Sequence, residues 1–251
     1  MLTCAMYAVI VWTLWSGLSV SLGVAPAAIV TIMVSPGITI PGRIRLEGPQ
    51  PIAGNQNPYD RFNVSLQTGS GPNILALLGG GGNGKPNADG TFSLSRITPG
   101  EYKVSVGGMM PNMYIKEARL DQIDILGGTT IGDRVSGNLE VTISSAAGQL
   151  EGTIIDALSK PVTGVQAVLI PENNRERREL YKMALSDMDG HFTIRGLVPG
   201  NYKLFAWEDI EPFSYFDPDV LKEYEQKGKA ITIGESSKQN VEMRLIPAAT
   251  P

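Results

Sequence analysis

The residues that could support catalysis are few. The chain has 251 residues but only one histidine, His191, and one cysteine, Cys4. A zinc hydrolase needs at least two histidines and a carboxylate on the metal, and a Ser-His-Asp or Cys-His site would also have to use His191. This histidine follows an Asp-Gly turn on a predicted strand, where we expect it to face solvent. The sequence therefore predicts a protein that is not an enzyme and that needs no metal or cofactor.

Two stretches resemble ion-binding loops but lack a required residue. The segment SDMDGHF at 186–192 begins like a calcium loop, yet an EF-hand needs glutamate where Val198 stands. The glycine-rich stretch at 79–85 ends in Gly-Lys, but Pro86 replaces the serine or threonine of a phosphate loop. We interpret the first stretch as a turn and the second as a mobile loop.

The most distinctive candidate site is the segment EDIEPFSYFDPDVLKEYEQKG at 208–228, which is rich in aromatic and acidic residues. Asp217 followed by Pro218 predicts the N-cap and first residue of a short helix near 217–227, with Gly228 just past its end. Aromatic rings beside carboxylates suit the binding of sugar rings or of a protein partner. The predicted ligand-binding residues are Trp207, Phe213, Tyr215, Phe216, Asp217 and Asp219.

A structural role for the same segment is the alternative. Strand alternation places Tyr202 and Leu204 toward the core, so that Phe205 and Trp207 face outward. The helix, through Val220, Leu221 and Tyr224, could then pack over these two rings as a local lid. The charged run NNRERREL at 173–180 is interpreted as a solvated loop, with docking of a partner as its alternative.

The elements that position these residues come from a repeated phrase. The sequence DGTFSLSRITPGEYKV at 89–104 returns as DGHFTIRGLVPGNYKL at 189–204. Each copy has an Asp-Gly turn, then alternating apolar residues that predict a half-buried antiparallel strand. A Pro-Gly pair follows, which predicts a type II turn with a positive φ at Gly100 and Gly200, and then a second strand. The phrase therefore describes a shape more than a chemical task.

Two further features recur in both units. Tyr102 and Tyr202 follow the Pro-Gly pairs at the same distance, which predicts a buried ring whose hydroxyl reaches a nearby backbone group. Each unit opens alike, at Gly42 and at Gly152, and the first unit carries about ten extra residues within the glycine-rich excursion at 68–88. Short strands and frequent turns, without long amphipathic helices, favour β-sandwiches.

These residues resemble the carboxypeptidase regulatory-like domain, a transthyretin-like or prealbumin-like sandwich close to the collagen-adhesin B-type repeats. The second unit carries the resemblance on Gly152, Pro161, Gly164, Asp187, Asp189, Gly190, Phe192, Gly196, Leu197, Pro199, Gly200 and Tyr202. The first unit keeps Gly42, Asp89, Gly90, Phe92, Pro99, Gly100 and Tyr102, but has Asn87 and Arg96 where the pattern expects aspartate and glycine. The resemblance implies a fold, tandem repetition and an extracytoplasmic location in bacterial surface or envelope proteins. It implies no single activity.

The expected architecture is therefore all-β, with two tandem seven-stranded prealbumin-like (Ig-like) β-sandwiches and one short helix. We predict an apolar segment at 1–34, a first sandwich at 35–147 and a second at 148–251. Because the link SSAAGQLEG at 144–152 is short, we expect a rod with little hinge freedom.

The N-terminal segment allows three interpretations, because residues 1–42 contain no charged side chain. Residues 4–24 are long and apolar enough for a membrane anchor. A signal peptide would use the small residues at 25–27, although a basic start is missing. Residues 28–35 also resemble the last strand of an upstream repeat. Attachment to a membrane and export both remain open at this point.

The distribution of charge restricts the partners. The chain has a net charge of −4, the first unit is neutral, and the second holds the whole excess, with sixteen acidic and twelve basic residues at 148–251. No basic face is implied, which argues against nucleic acid. We predict a non-catalytic extracytoplasmic module that is structural or binds a polysaccharide or a cell-surface protein. The alternative is a pure spacer within a larger protein, with no ligand of its own.

Overall fold

The structure is a computed structural model that describes residues 9–11, 19–21, 37–49, 57–68, 82–133 and 137–248. Most of the predicted N-terminal segment at 1–34, including Cys4, lies outside the described residues. The same is true of most of the glycine-rich excursion at 68–88. Within the N-terminal segment, two short strands, β1 (Val9–Val11) and β2 (Ser19–Ser21), pair antiparallel. Among the described residues no helix is both long enough and apolar enough to cross a membrane.

The first sandwich consists of a five-stranded sheet in the order β6-β3-β11-β8-β9 and a four-stranded sheet in the order β10-β7-β4-β5. Its strands are β3 (Ile38–Glu47), β4 (Asn63–Thr68), β5 (Asn83–Gly84), β6 (Thr91–Ile97), β7 (Gly100–Gly107), β8 (Tyr114–Leu120), β9 (Ile123–Asp124), β10 (Thr129–Ile131) and β11 (Leu139–Ser144).

The second sandwich has a three-stranded sheet in the order β15-β12-β18 and a four-stranded sheet in the order β14-β13-β16-β17. Its strands are β12 (Gly148–Ile155), β13 (Gln166–Pro171), β14 (Lys182–Leu185), β15 (His191–Leu197), β16 (Gly200–Trp207), β17 (Lys229–Ile233) and β18 (Lys238–Arg244). Two 3-10 turns at Arg178–Leu180 and Ser214–Phe216 and one helix, α1 (Pro218–Tyr224), complete it.

The all-β prediction of two tandem sandwiches is confirmed. Among the described residues the second sandwich has the predicted seven strands, but the first has nine. The difference is the hairpin of β8 and β9, which pairs with the free side of β11 and extends that sheet. In both sandwiches the first and last strands are parallel neighbours, and the other pairings are antiparallel. The sequence boundary between residues 147 and 148 remains our proposal.

Each sandwich has its own apolar core, built from the alternating residues of the repeated phrase. In the first, Phe92 and Leu94 are buried, and in the second Phe192 and Ile194 are buried. The predicted tyrosine corner is present in both. The hydroxyl of Tyr102 donates to the carbonyl of Thr98, and that of Tyr202 to the carbonyl of Val198, each at 2.8 Å. Ring burial and one hydrogen bond therefore fix the same corner twice.

The predicted type II turns are wrong. Gly100 and Gly200 begin β7 and β16, and neither has a positive φ. The left-handed residue stands earlier, at Arg96 (φ 61°) and Gly196 (φ 69°), where β6 and β15 each carry a register irregularity near their ends. An extra residue in a strand takes the left-handed conformation in one common bulge, which is why glycine fits at 196.

The link between the sandwiches is bonded on both sides. The N–H of Ala147 donates to the carbonyl of Asn112 in the first sandwich, and the N–H of Ser236 in the second donates to the carbonyl of Ala146. Lys116 adds ion pairs to Glu47 and, across the link, to Glu235 at 3.7 Å. Two backbone bonds on adjacent residues restrict rotation about the link.

Candidate binding surface of the second sandwich

The outer face of the four-stranded sheet in the second sandwich is apolar, which is unusual for the solvent side of a sandwich. Val168 and Ile170 on β13, with Phe205 and Trp207 on β16, point away from the core and are at most 2% exposed. The expectation that Phe205 and Trp207 face outward on the sheet is therefore confirmed. A face this apolar needs a cover.

The insertion at 208–228 supplies that cover. Tyr215 and Leu221 lie over the sheet, and the ring of Tyr224 meets Trp207 edge-on with centroids 5.7 Å apart. Phe205 and Trp207 stack in parallel at 4.9 Å. Gly228 leads into β17 directly over Phe205, where a Cβ would come within 2.5 Å of the ring. The structural alternative for this segment, a local lid, is what the geometry shows.

Helix α1 begins as the sequence predicts and ends sooner. Asp217 is its N-cap, with the carboxylate accepting from the N–H of Asp219 at 2.9 Å, and Pro218 is its first residue. The helix ends at Tyr224, so Gly228 is not its C-terminal cap. The chain then turns, and the N–H of Lys227 donates to the carbonyl of Tyr224 at 2.8 Å.

Glu225 is the centre of a small ionic network under the helix end. Its Oε1 atom accepts from Lys203 Nζ at 2.7 Å and from Arg175 Nη2 at 3.2 Å. The hydrogen bond from Lys203, with that from Arg175 beside it, holds the pKa of the Glu225 carboxyl below its ordinary value, against the effect of burial. This network joins the 173–180 segment to α1 and β16.

The structure divides the six predicted ligand-binding residues into two groups. Trp207 is 2% and Tyr215 1% exposed, so neither ring offers a face to a ligand at the surface. The Asp217 carboxylate is used in the helix cap, and Asp219 lies exposed in the first turn. Phe216 is half-buried and Phe213 is 65% exposed. Only the last two rings are accessible.

Phe213 stands out on two independent grounds. Its ring is exposed, and its backbone is left-handed with φ 69° and ψ 0°, a conformation that L side chains disfavour. It lies nearly parallel to Phe216, with ring centroids 6.1 Å apart. Strained backbone and an exposed aromatic ring both cost free energy, and such residues cluster at functional sites.

Phe216 lines an open depression of about 400 Å³ beside the cover. The floor is aromatic and aliphatic and the rim is charged, with Arg178 above the Phe216 ring at 5.0 Å from its centroid. The hydroxyl of Tyr181 donates to the carbonyl of Arg175, which fixes the loop that forms one wall. The lining residues are Arg175, Glu176, Arg178, Tyr181, Tyr215, Phe216, Pro218 and Leu221.

Half of this depression was not foreseen from the sequence. The sequence predicts the charged run at 173–180 mainly as a solvated loop, yet Arg175, Glu176 and Arg178 form the rim of the depression. Tyr181, which directly follows the run, is a further lining residue that the sequence analysis does not predict. A tyrosine next to a group of arginines is a weak signal by itself, and only the pairing of β13 with β16 brings the two segments together.

His191 is exposed, and its Nδ1 lies 2.9 Å from the hydroxyl of Thr153. Among the described residues, no group of three or more His, Cys, Asp or Glu side chains could hold a metal ion. In the SDMDGHF segment, the Asp187 carboxylate accepts from the N–H groups of Asp189 and His191, as expected of a turn.

Comparison with solved structures finds matches at low identity and low TM-score. The minor pilin of Streptococcus agalactiae is 15% identical, covers 84% of this chain and 98% of its own, and has a TM-score of 0.34. The shaft pilin of Lactobacillus rhamnosus GG is 8% identical, with coverages of 85% and 99% and a TM-score of 0.30. A streptococcal ancillary pilin is 12% identical, with coverages of 82% and 68% and a TM-score of 0.27.

At these TM-scores the likeness bears on neither ligand nor partner. No protein-family model matches the chain, and no curated protein matches it.

Proposed function

We propose that the chain is a non-catalytic, extracytoplasmic β-sandwich protein of the carboxypeptidase regulatory-like type, whose second sandwich binds a polysaccharide. The observation that carries the proposal is Phe213: an exposed ring on a left-handed backbone, parallel at 6.1 Å to the ring of Phe216, which lines a depression of about 400 Å³. Ligand pockets typically have volumes of about 300–1,000 Å³, so one or two sugar rings fit this depression.

The chemistry of the rim favours a saccharide. Sugars offer apolar ring faces and many hydroxyl groups, which match aromatic rings flanked by hydrogen-bonding side chains. Phe213 presents the ring face. Arg178 supplies guanidinium donors and Glu176 supplies acceptors, and within the described residues neither forms an ion pair. Tyr181 is committed to the backbone of Arg175 and serves the wall rather than the ligand.

The test is the binding of the full chain to a glycan array and to affinity gels, with Phe213→Gly as the central variant. Glycine accepts a positive φ without strain, so this change removes the ring while keeping or raising stability by up to about 1 kcal/mol. We expect Phe213→Gly to lose binding without any loss of thermal stability. Arg178→Ala is expected to weaken binding about tenfold, as loss of one charge-assisted hydrogen bond does.

The matched control is Met188→Ala, because Met188 is 93% exposed on the same sandwich and lies outside the depression. It should leave binding unchanged. Retention of full glycan affinity by Phe213→Gly would refute this site. A third outcome is that the chain binds no glycan but binds a cell-surface protein, and that Phe213→Gly abolishes this binding. The site would then be correct and its ligand class would be protein.

A spacer is the second candidate function, and the bonded link favours it. Ala147 is hydrogen-bonded to the first sandwich and Ala146 to the second, which restricts rotation about the link. If the wild-type chain binds no glycan and no surface protein, the spacer is the better description. Fractionation of cells that express the full chain tests the location, and a chain found only in the cytoplasm would contradict it.

A further inference from the structure

The second sandwich has a sheet edge whose counterpart in the first sandwich is covered. In the first, β11 pairs with β3 on one side and with β8 on the other. In the second, β18 takes the place of β11, since it runs parallel to β12 as β11 runs parallel to β3. Along Lys238–Arg244 no strand among the described residues pairs with the other side of β18, and just beyond it Ile246 bridges Trp207 at the end of β16. An edge of this kind is a template for another strand.

The backbone groups that face the open side of this edge can be assigned. The N–H of Gln149 donates to the carbonyl of Ser237, and the N–H of Leu245 donates to the carbonyl of Ile155, both at 2.8 Å. Backbone groups of successive residues in a strand point to opposite sides, so the odd-numbered residues of β18 serve β12. The residues whose N–H and C=O groups face the open side are Lys238, Asn240, Glu242 and Arg244.

The covered edge shows which strand fits. Glu140 of β11 stands directly opposite Arg119 of β8, an acidic residue in register with a basic one, and its carboxylate forms its ion pair with Arg45 of β3 at 3.3 Å. Glu242 holds the position of Glu140, because each is one residue past the partner of the glycine that opens its unit. If two copies of β18 pair antiparallel with Asn240 opposite Asn240, then Lys238 of each copy stands opposite Glu242 of the other. Opposite charges in directly facing positions stabilise a strand pair.

We propose that the open edge of β18 is a self-association surface, at which two copies of this chain pair antiparallel about Asn240. The two three-stranded sheets then form one continuous sheet. Lys229 limits the association, because its ammonium donates to the carbonyl of Glu242 at 2.9 Å and must release it. Edge strands that carry lysine are commonly protected from indiscriminate pairing, and the charges of β18 leave this one register favoured.

Charge reversal tests the register. Sedimentation velocity of the full chain over a range of concentrations gives the dimer constant. Lys238→Glu and Glu242→Lys each create two like-charge pairs and should weaken the dimer on the order of tenfold. The double variant restores both pairs with inverted sign and should return to the wild-type constant. Lys229→Ala should strengthen the dimer several-fold.

Disulfide crosslinking tests whether the two-fold axis of the dimer passes between the two copies of Asn240. With Cys4→Ser as background, Asn240→Cys places two thiols across the axis, where hydrogen-bonded partners have Cα atoms about 5.5 Å apart, within disulfide reach. Lys238→Cys is the control, because its symmetry mate lies about 13 Å away along the strand. A covalent dimer with Asn240→Cys alone supports the proposal. A monomer at every concentration, or a dimer insensitive to both charge reversals, overturns it.

Discussion

Replacement of Trp207 separates the structural from the binding role of the aromatic segment. The indole ring is 2% exposed and lies between the sheet and its cover, stacked on Phe205 and touched edge-on by Tyr224. Removing a buried tryptophan side chain to alanine costs about 3–5 kcal/mol. We therefore expect Trp207→Ala to destabilise the second sandwich by that amount.

Trp207→Phe is the matched variant and should behave differently. The indole Nε1 atom is buried and has no hydrogen-bond partner among the described residues. An unsatisfied buried donor costs about 1–3 kcal/mol, so its removal offsets the loss of ring contacts. The phenylalanine variant should lie within about 1 kcal/mol of the wild type.

The assay is urea unfolding of the full chain, followed by far-UV circular dichroism and by hydrogen exchange with mass spectrometry. Each sandwich has its own core, so Trp207→Ala should lower the protection of β13, β16 and β17 and leave that of β3 and β11 unchanged. Equal stability of the alanine variant and the wild type would refute the argument that the cover is packed. A phenylalanine variant as unstable as the alanine variant would refute the role given to the N–H group.

Three further predictions concern single side chains. Burial raises the pKa of Tyr202 to about 12. The stabilisation by the neutral hydroxyl is therefore present below the ordinary pKa near 10 and is lost as pH rises toward 12. Tyr202→Phe should make the free energy of unfolding less dependent on pH across this alkaline range. The hydrogen bond from Lys203 is the main cause of the lowered pKa of Glu225. The stabilisation by its carboxylate is therefore lost as pH falls below the ordinary carboxyl range. Glu225→Gln should make the melting temperature less sensitive to acid, as measured by pH-dependent melting. Arg96→Gly should raise the melting temperature, because glycine adopts the positive φ at this position without strain. The gain in the free energy of unfolding is up to about 1 kcal/mol after the entropy cost of glycine. Gly196→Ala should lower the melting temperature, because it introduces a side chain at a positive φ.

Local patterns in the sequence were sufficient for much of the fold. Period-two alternation placed Phe192 and Ile194 in the core, the Asp-Pro pair at 217–218 placed the start of α1, and the tyrosines placed the corners. These features depend on residues within a few positions of each other. The prediction of type II turns is wrong because the left-handed residue lies in the bulge at Gly196 and not in the Pro-Gly pair.

The candidate site was less accessible to sequence reasoning. Its walls come from 175–181 and 215–221, which are separated by about thirty residues and brought together by the register of β13 against β16. Spacing alone gave no means to predict that contact. The aromatic composition of 208–228 is visible in the sequence, but which of its rings are buried depends on how the cover packs on the sheet.

One difference between the two sandwiches accounts for both the depression and the open β18 edge of the second sandwich. The first sandwich places its insertion between β7 and β10 and folds it into a hairpin that covers the β11 edge. The second places its insertion at the equivalent point, between β16 and β17, and uses it to cover a sheet face. Ser105 and Gly107, at the positions of Phe205 and Trp207, give the first sandwich no apolar outer face to cover. The insertion of the second sandwich therefore builds the depression and leaves the β18 edge open.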